Sequence, residues 1–190
     1  MKTRLLMLTM AVACTFAGNA MSMTKEEYKA QKDRVSADYK ANKDKCSAMK
    51  ANAKDICMAE AKGSDKVAKA EMEAAYKPSA KNTKDVAMAK GNAVYDVAKE
   101  KCDDMTGNAK DVCVKDAKAA HTKAKEDAKV VKVSTDTTKD KSGKVADAKK
   151  DAAEEKSEAN YKAAKERCDA LSGDVKSKCV DDAKRMYGQS

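Results

Sequence analysis

Apolar positions along this chain step by three and four. Tyr95, Ala98, Cys102 and Met105 fall on one helical face, and Tyr161, Ala164, Cys168 and Leu171 repeat the same offsets. A third copy holds Tyr39, Cys46 and Met49, with polar Asn42 in the remaining slot. Downstream, Cys57, Ala61, Ser64, Ala68, Met72 and Ala75 share their spacing with Cys113, Ala117, Ala120, Ala124, Ala128 and Val131. A stripe of this period is the packing face of a helix. Because it is mostly Ala, partner helices can approach closely while each contact buries little, a methylene being worth only ~0.8 kcal/mol. Tyr39, Tyr95, Tyr161, Met49, Met105 and Leu171 are the bulkier repeat-packing positions.

Breaks in the pattern set the element boundaries. Thr24-Lys25-Glu26-Glu27 is a capping box that starts a first helix, with Met23 placed to staple against Tyr28. Pro78, followed by Ser79 and Asn82, ends the second helix and opens the third. Gly107 and Gly173 suit a left-handed helix terminus. Asn52, Asn108 and Asp174 suit the N-cap of the helix that follows. The first copy has Ala51 where the others have Gly. Gly63-Ser64 lies inside a continuous helix. The pattern predicts an all-α fold of about six helices, 24–50, 52–77, 80–106, 108–131, 144–172 and 174–187, in an elongated antiparallel, up-and-down array of hairpins.

The helix breaks explain the cysteines. CSAMKANAKDIC, CDDMTGNAKDVC and CDALSGDVKSKC each keep ten residues between two cysteines, with a Tyr seven positions ahead of the first. The intervals between copies are 56 and 66 residues, so the intervening segments are not identical modules. On one unbroken helix the paired cysteines would stand ~16 Å apart, against the ~4.4–6.8 Å between Cα atoms that a disulfide requires. A turn midway brings them face to face. The expected bridges are Cys46–Cys57, Cys102–Cys113 and Cys168–Cys179, each clasping a helix-turn-helix unit. Six cysteines allow fifteen pairings in principle, and the repetition favours the local one.

Composition then says where such bridges form. Lys2 and Arg4 precede a short apolar run from Leu5 to Phe16, and small residues follow at Gly18 and Ala20. That order is a secretory signal, cleaved after Ala20 or alternatively after Ser22. A lipoprotein reading puts the lipid on Cys14, but Ala11 stands where a larger aliphatic residue is expected. Signal removal takes away Cys14 and leaves the six paired cysteines of an oxidising compartment, the periplasm or beyond. Net charge falls from +9 to +7 as Lys2 and Arg4 leave. The remaining chain has one Leu, Leu171, one Ile, Ile56, and neither Phe nor Trp. A sequence this poor in large apolar residues builds thin helical hairpins rather than a thick core. The domain reading is a signal at 1–20, a two-hairpin helical region at 21–131, a Thr/Ser-rich linker at 132–143 and a third hairpin at 144–190.

Other chemistries find little support. Structural zinc sites bring cysteines in close C-x₂₋₄-C pairs, and none occurs. Met49 and Met105, three positions after a cysteine, would suit Cu(I), but the third copy has Leu171 there, so the position asks for an apolar side chain. The one histidine, His121, falls beside the stripe, as a solvated helical residue would. No glycine-rich phosphate loop is present. The expectation is a non-enzyme with no catalytic, cofactor or metal residue. The cations are nearly all Lys, interleaved with acids at helical spacing as in Asp65/Lys69 and Glu158/Lys162. The excess of positive charge favours an anionic envelope surface or a periplasmic protein as partner, while the interleaved acids and export argue against nucleic acid. A second copy completing the Tyr and Ala stripes is a further expected partner.

YDVAKEKCDDMTGNAKDVCVKDAKA, residues 95–119, resembles a group of secreted bacterial Ala/Lys-rich repeat proteins with paired cysteines, sometimes labelled TolA-like or cell-envelope proteins. The likeness covers most of the chain after the signal. The Ala/Lys/Glu bias is also similar to late-embryogenesis-abundant stress proteins, and the spaced helical cysteines to periplasmic lysozyme inhibitors. These resemblances imply a structural or stress-protective role in the cell envelope. The alternative is a binding module for a periplasmic partner protein or a soft metal ion.

Overall fold

The structure is a computed structural model describing residues 23–137 and 141–189. The expected export signal, its cleavage site and Cys14 lie outside the described residues. Six helices are present among those described: α1 Lys25–Ser47, α2 Ala51–Tyr76, α3 Ala80–Cys102, α4 Gly107–Thr135, α5 Lys141–Cys168 and α6 Gly173–Met186. The fold is all-α, as the apolar period requires. The expected linker is shorter than its composition implies. Helix α4 runs through Val133 and Ser134 to Thr135, and α5 already begins at Lys141. Thr135 is accommodated in the last turn with its hydroxyl donating back to the Val131 carbonyl. Residues 138–140 lie outside the described residues.

Only helices adjacent in sequence pack on one another: α1 on α2, α2 on α3, α3 on α4, α4 on α5 and α5 on α6. The molecule is therefore a single layer of antiparallel helices, one helix thick, rather than a closed bundle. Each inner helix must bury two opposite sides. In α4, Ala117 and Ala128 are buried on one side and Ala119 and Glu126 on the other. The third hairpin joins the layer through α5 on α4. The outermost sides of α1, with Lys29, Asp33, Lys40 and Asp44, and of α6, with Asp174, Lys178, Asp181 and Arg185, are charged. They close the array as capping repeats do.

The helix starts follow local chemistry. Thr24 and Glu27 form a reciprocal capping box. The Ser79 side chain accepts from the Asn82 amide at the start of α3. Tyr28, the expected staple partner of Met23, faces α2. Its ring lies 4.5 Å from that of Tyr76, and its hydroxyl donates to Glu73. That bond pushes the Tyr28 hydroxyl pKa up, since the carboxylate acceptor favours the protonated phenol.

The hairpin turns differ from expectation in one respect. Gly107 and Gly173 do take left-handed backbone, both at φ +57°, but each opens the following helix instead of ending the preceding one. Helices α1 and α3 close with right-handed residues, Ala48 and Asp103. Ala51 fills the same position in the first hairpin at φ +48°. An L-residue there costs about 1–2 kcal/mol, while Gly gives back about 0.5–1 kcal/mol in chain entropy. A51G should therefore stabilise the protein by about 0.5–1 kcal/mol, raising Tm by roughly 1–4 °C. G107A, with no atom crowding its Cβ, should move Tm the other way through backbone strain alone. Circular-dichroism melts of the two variants check this; a lower Tm for A51G contradicts it.

Candidate functional site

The three turns lie at one end of the layer, and each carries the expected clasp. Cys46–Cys57, Cys102–Cys113 and Cys168–Cys179 are bonded, with Cα separations of 5.5, 5.6 and 5.8 Å. In each pair the first cysteine is fully buried and the second is half-buried. Two of the clasps are bracketed by an ion pair across the turn. Lys110 Nζ lies 2.8 Å from Asp103, and Lys176 Nζ lies 2.9 Å from Asp169. Each lysine holds its aspartate below the ordinary carboxylate range by direct hydrogen bonding. The first hairpin has Ser47 at the aspartate's place and lacks the pair.

Asn52 and Asn108 do not cap their own helices. The N-caps of α2, α4 and α6 are Lys50, Thr106 and Ser172, none with a side-chain cap bond. Each asparagine instead reaches into the next hairpin. Asn52 Nδ2 donates to the Glu100 carbonyl at 2.8 Å, and Asn108 Nδ2 donates to the Glu166 carbonyl at 3.3 Å. These carbonyls belong to the last turns of α3 and α5, where each also accepts a backbone amide, from Asp103 and Asp169 respectively, and the asparagine uses the remaining lone pair. The third copy has Asp174, whose carboxylate has no N–H to give, and among the described residues no helix follows α6. The latch thus runs between neighbouring hairpins. Periodicity within a single hairpin carries no signal for it.

Met49, Met105 and Leu171 sit at the turns themselves and are 45, 43 and 39% exposed. They do not form the interior of the repeat as expected, because each helix ends at or one residue past the cysteine three positions earlier. Tyr39, Tyr95 and Tyr161 are each half-buried, in different surroundings. Tyr95 stacks on His121 with ring centroids 4.4 Å apart and 9° between planes. Lys43 lies over the Tyr39 ring at 5.6 Å.

His121 is not the solvated residue expected. It is half-buried between α3 and α4, with Nε2 2.7 Å from Asn92 Oδ1. A signal for this was present. Tyr95 lies seven residues before Cys102 and His121 eight after Cys113, so the two are nearly equidistant from the turn and face each other. The matching positions in the other hairpins are Asp65 and Tyr187. Burial lowers the His121 pKa, Lys125 adds to this, and Asp96 opposes it. The folded protein therefore favours the neutral ring. Its contribution is fully present above the ordinary value of 6.5 and is lost as pH falls from there through the lower folded value. Urea denaturation of wild-type protein should show stability declining from pH 7 to 5, and H121Q should flatten that slope. An unchanged slope would exclude His121 as its source.

One side of the layer carries two adjoining apolar grooves. That between α3 and α4, about 410 Å³, is lined by Ala87, Gly91, Val94, Ala98, Ala124 and Val131, with Tyr95 and His121 also in its wall. That between α2 and α3, about 480 Å³, is lined by Gly63, Val67, Ala93 and Val97. They share Val94 and Ala98, so α3 forms a ridge between them. Across the layer, at the same height of α2 and α3, the surface is instead charged, with Asp55, Lys62, Lys66, Asp96 and Lys99. Lys66 and Asp96 pair there at 3.3 Å.

Among the described residues, no group of three or more His, Cys, Asp or Glu is placed to hold a metal ion. No described helix is long and apolar enough to cross a membrane. No protein-family model matches the chain, and neither a curated protein nor a solved structure is significantly similar to it.

Proposed function

We propose that the protein is a non-enzymatic helical scaffold of the bacterial cell envelope, exported by its N-terminal signal, with a structural or stress-protective role. The observation that carries this reading is the set of three clasps, one per hairpin, on a layer whose buried residues are mostly Ala and Cys. Disulfides used this way belong to an oxidising compartment. The charged side and edges suit a hydrated spacer beside anionic envelope polymers, with Lys as the main cation. The resemblance to secreted Ala/Lys-rich repeat proteins points the same way. Fractionation of the producing cells, with mass spectrometry of the mature N-terminus, is the test. Mature protein outside the cytoplasm, beginning at Met21 or Met23, supports the reading. A full-length chain in the cytoplasm overturns it.

A second reading, a binding module, draws on the apolar grooves beside α3. Its soft-metal form is weakened, because every described cysteine is in a disulfide and offers no thiolate. Pull-down from periplasmic extract separates the two. One saturable, stoichiometric partner would replace the scaffold by the binding module.

A further inference from the structure

We propose that the grooved side of α2–α4 is the interface of a two-fold homodimer, in which two copies of this chain stack layer against layer. This goes beyond the envelope reading and does not depend on it.

A layer one helix thick with one apolar side is half of an ordinary two-layer domain. Its other side is charged at α2 and α3, and both edge helices turn charge outward, so the grooves offer apolar burial that these surfaces do not. Val94 stands at the centre of this side and is 66% exposed, unusual for a valine flanked by apolar neighbours. The relief is self-complementary. A ridge at Val94 and Ala98 runs between two grooves floored by Gly and Ala, so the ridge of one copy fits the groove of a second.

Charge argues for a copy over a lipid surface. The charged residues lining the two grooves are Lys90, Asp127, Glu60 and Lys101. Two acids and two lysines leave this side neutral on a chain of net charge +9. An anionic membrane would be met by a basic side. Here each groove brings one charge of each sign, and Lys90 and Asp127 already pair within the chain, with Glu71 and with Lys123 and Lys156, so no excess cation is left to meet such a surface.

The area is sufficient. The lined stretch of α3 is ~22 Å long at 1.5 Å per residue. Three helices spaced ~8–10 Å apart are ~25–30 Å wide. The product is on the order of 600 Å² per copy, near the lower bound for a specific interface of roughly 1,200 Å² in total. An association in the micromolar range is the expected consequence.

Sedimentation equilibrium of the oxidised protein, without its signal segment, from about 1 to 300 μM is the test. The expected result is a concentration-dependent dimer. V94E should raise the concentration needed for half-dimerisation at least about tenfold, because it places a carboxylate at the centre of the contact. It should leave helicity unchanged, and Tm unchanged at concentrations where the wild type is monomeric, since Val94 is exposed in the single copy. K62E on the charged side should leave dimerisation unchanged. Wild-type protein that stays monomeric throughout overturns the proposal. So does a dimer that V94E leaves intact or K62E dissolves. Binding to vesicles of anionic phospholipid that V94E abolishes, from protein that stays monomeric, would assign the grooves to lipid and equally overturn it.

Discussion

Full reduction of the three clasps should lower Tm by about 12–36 °C, read by far-ultraviolet circular dichroism with and without a phosphine reductant. Each bridge closes a loop of 12 residues, worth roughly 2–3 kcal/mol by the chain-entropy estimate. At ~2–4 °C per kcal/mol for a chain of this size, three such losses sum to that shift. The loss is large against the ~5–15 kcal/mol total of an ordinary domain. The interior cannot absorb it, since the most fully buried side chains of any size are Cys46, Cys102 and Cys168 themselves. Single-clasp variants should differ. C168S/C179S frees α6, a helix of 14 residues that touches only α5. Its amides should exchange hydrogen early while the rest of the layer stays protected. C102S/C113S lies in the middle of the array and should lower Tm of the whole layer. A reduced protein that melts with the oxidised one would remove the clasps from any stabilising role.

The sequence made the hairpins legible because their signals are local. Proline at 78, serine at 79 and the Thr24–Glu27 pair act within one turn of the chain, and the structure places helix ends at each. The clasps were legible for a related reason. Once a turn falls between two cysteines, their distance is fixed by helix geometry rather than by the rest of the fold. What escaped depends on neighbours in space. The Asn52 and Asn108 latches reach carbonyls 48 and 58 residues away. A residue suited by type to an N-cap instead donates to a carbonyl in the last turn of the neighbouring hairpin, a partner the single-hairpin view does not contain. His121 escaped for a milder reason. It flanks the Ala stripe, so period alone leaves it outside, but the register across the turn sets it against Tyr95. The linker is shorter than its composition predicts because Thr and Ser are tolerated inside a helix, where Thr135 returns its hydroxyl to the Val131 carbonyl. Met49, Met105 and Leu171 were placed one helical turn too deep because the helices end at or just after the clasp cysteine.

The apolar grooves and the thin core have a common origin in how closely the helices approach, and two glycines decide that approach. A Cβ built at Gly63 would lie 2.7 Å from the Ala93 Cβ, and one at Gly91 would lie 2.7 Å from the Ala124 Cβ. Both distances are far inside the ~3.5–4.0 Å optimum for two carbons, and the atom met is a stub that cannot rotate away. Helix propensity pulls in the other direction, since Ala gains ~1 kcal/mol over Gly inside a helix. The contact outweighs that gain, because neither Cβ can move without its backbone, so G91A should be destabilising. G91V adds two methyls and a stiff β-branch to the same contact, where overpacking costs typically ~1–3 kcal/mol and sometimes more. It should lower Tm by about 2–12 °C, and G63V should act similarly on α2 and α3. Overpacking and a general dislike of valine at the site are separable. Removing the opposing methyl with A124G should recover part of the G91A loss, giving a coupling of about 1 kcal/mol of opposite sign to the single effects. If G91V melts with the wild type, helices α3 and α4 do not meet through these small residues. The narrow seam that leaves Val94 standing as a ridge would then have no physical basis.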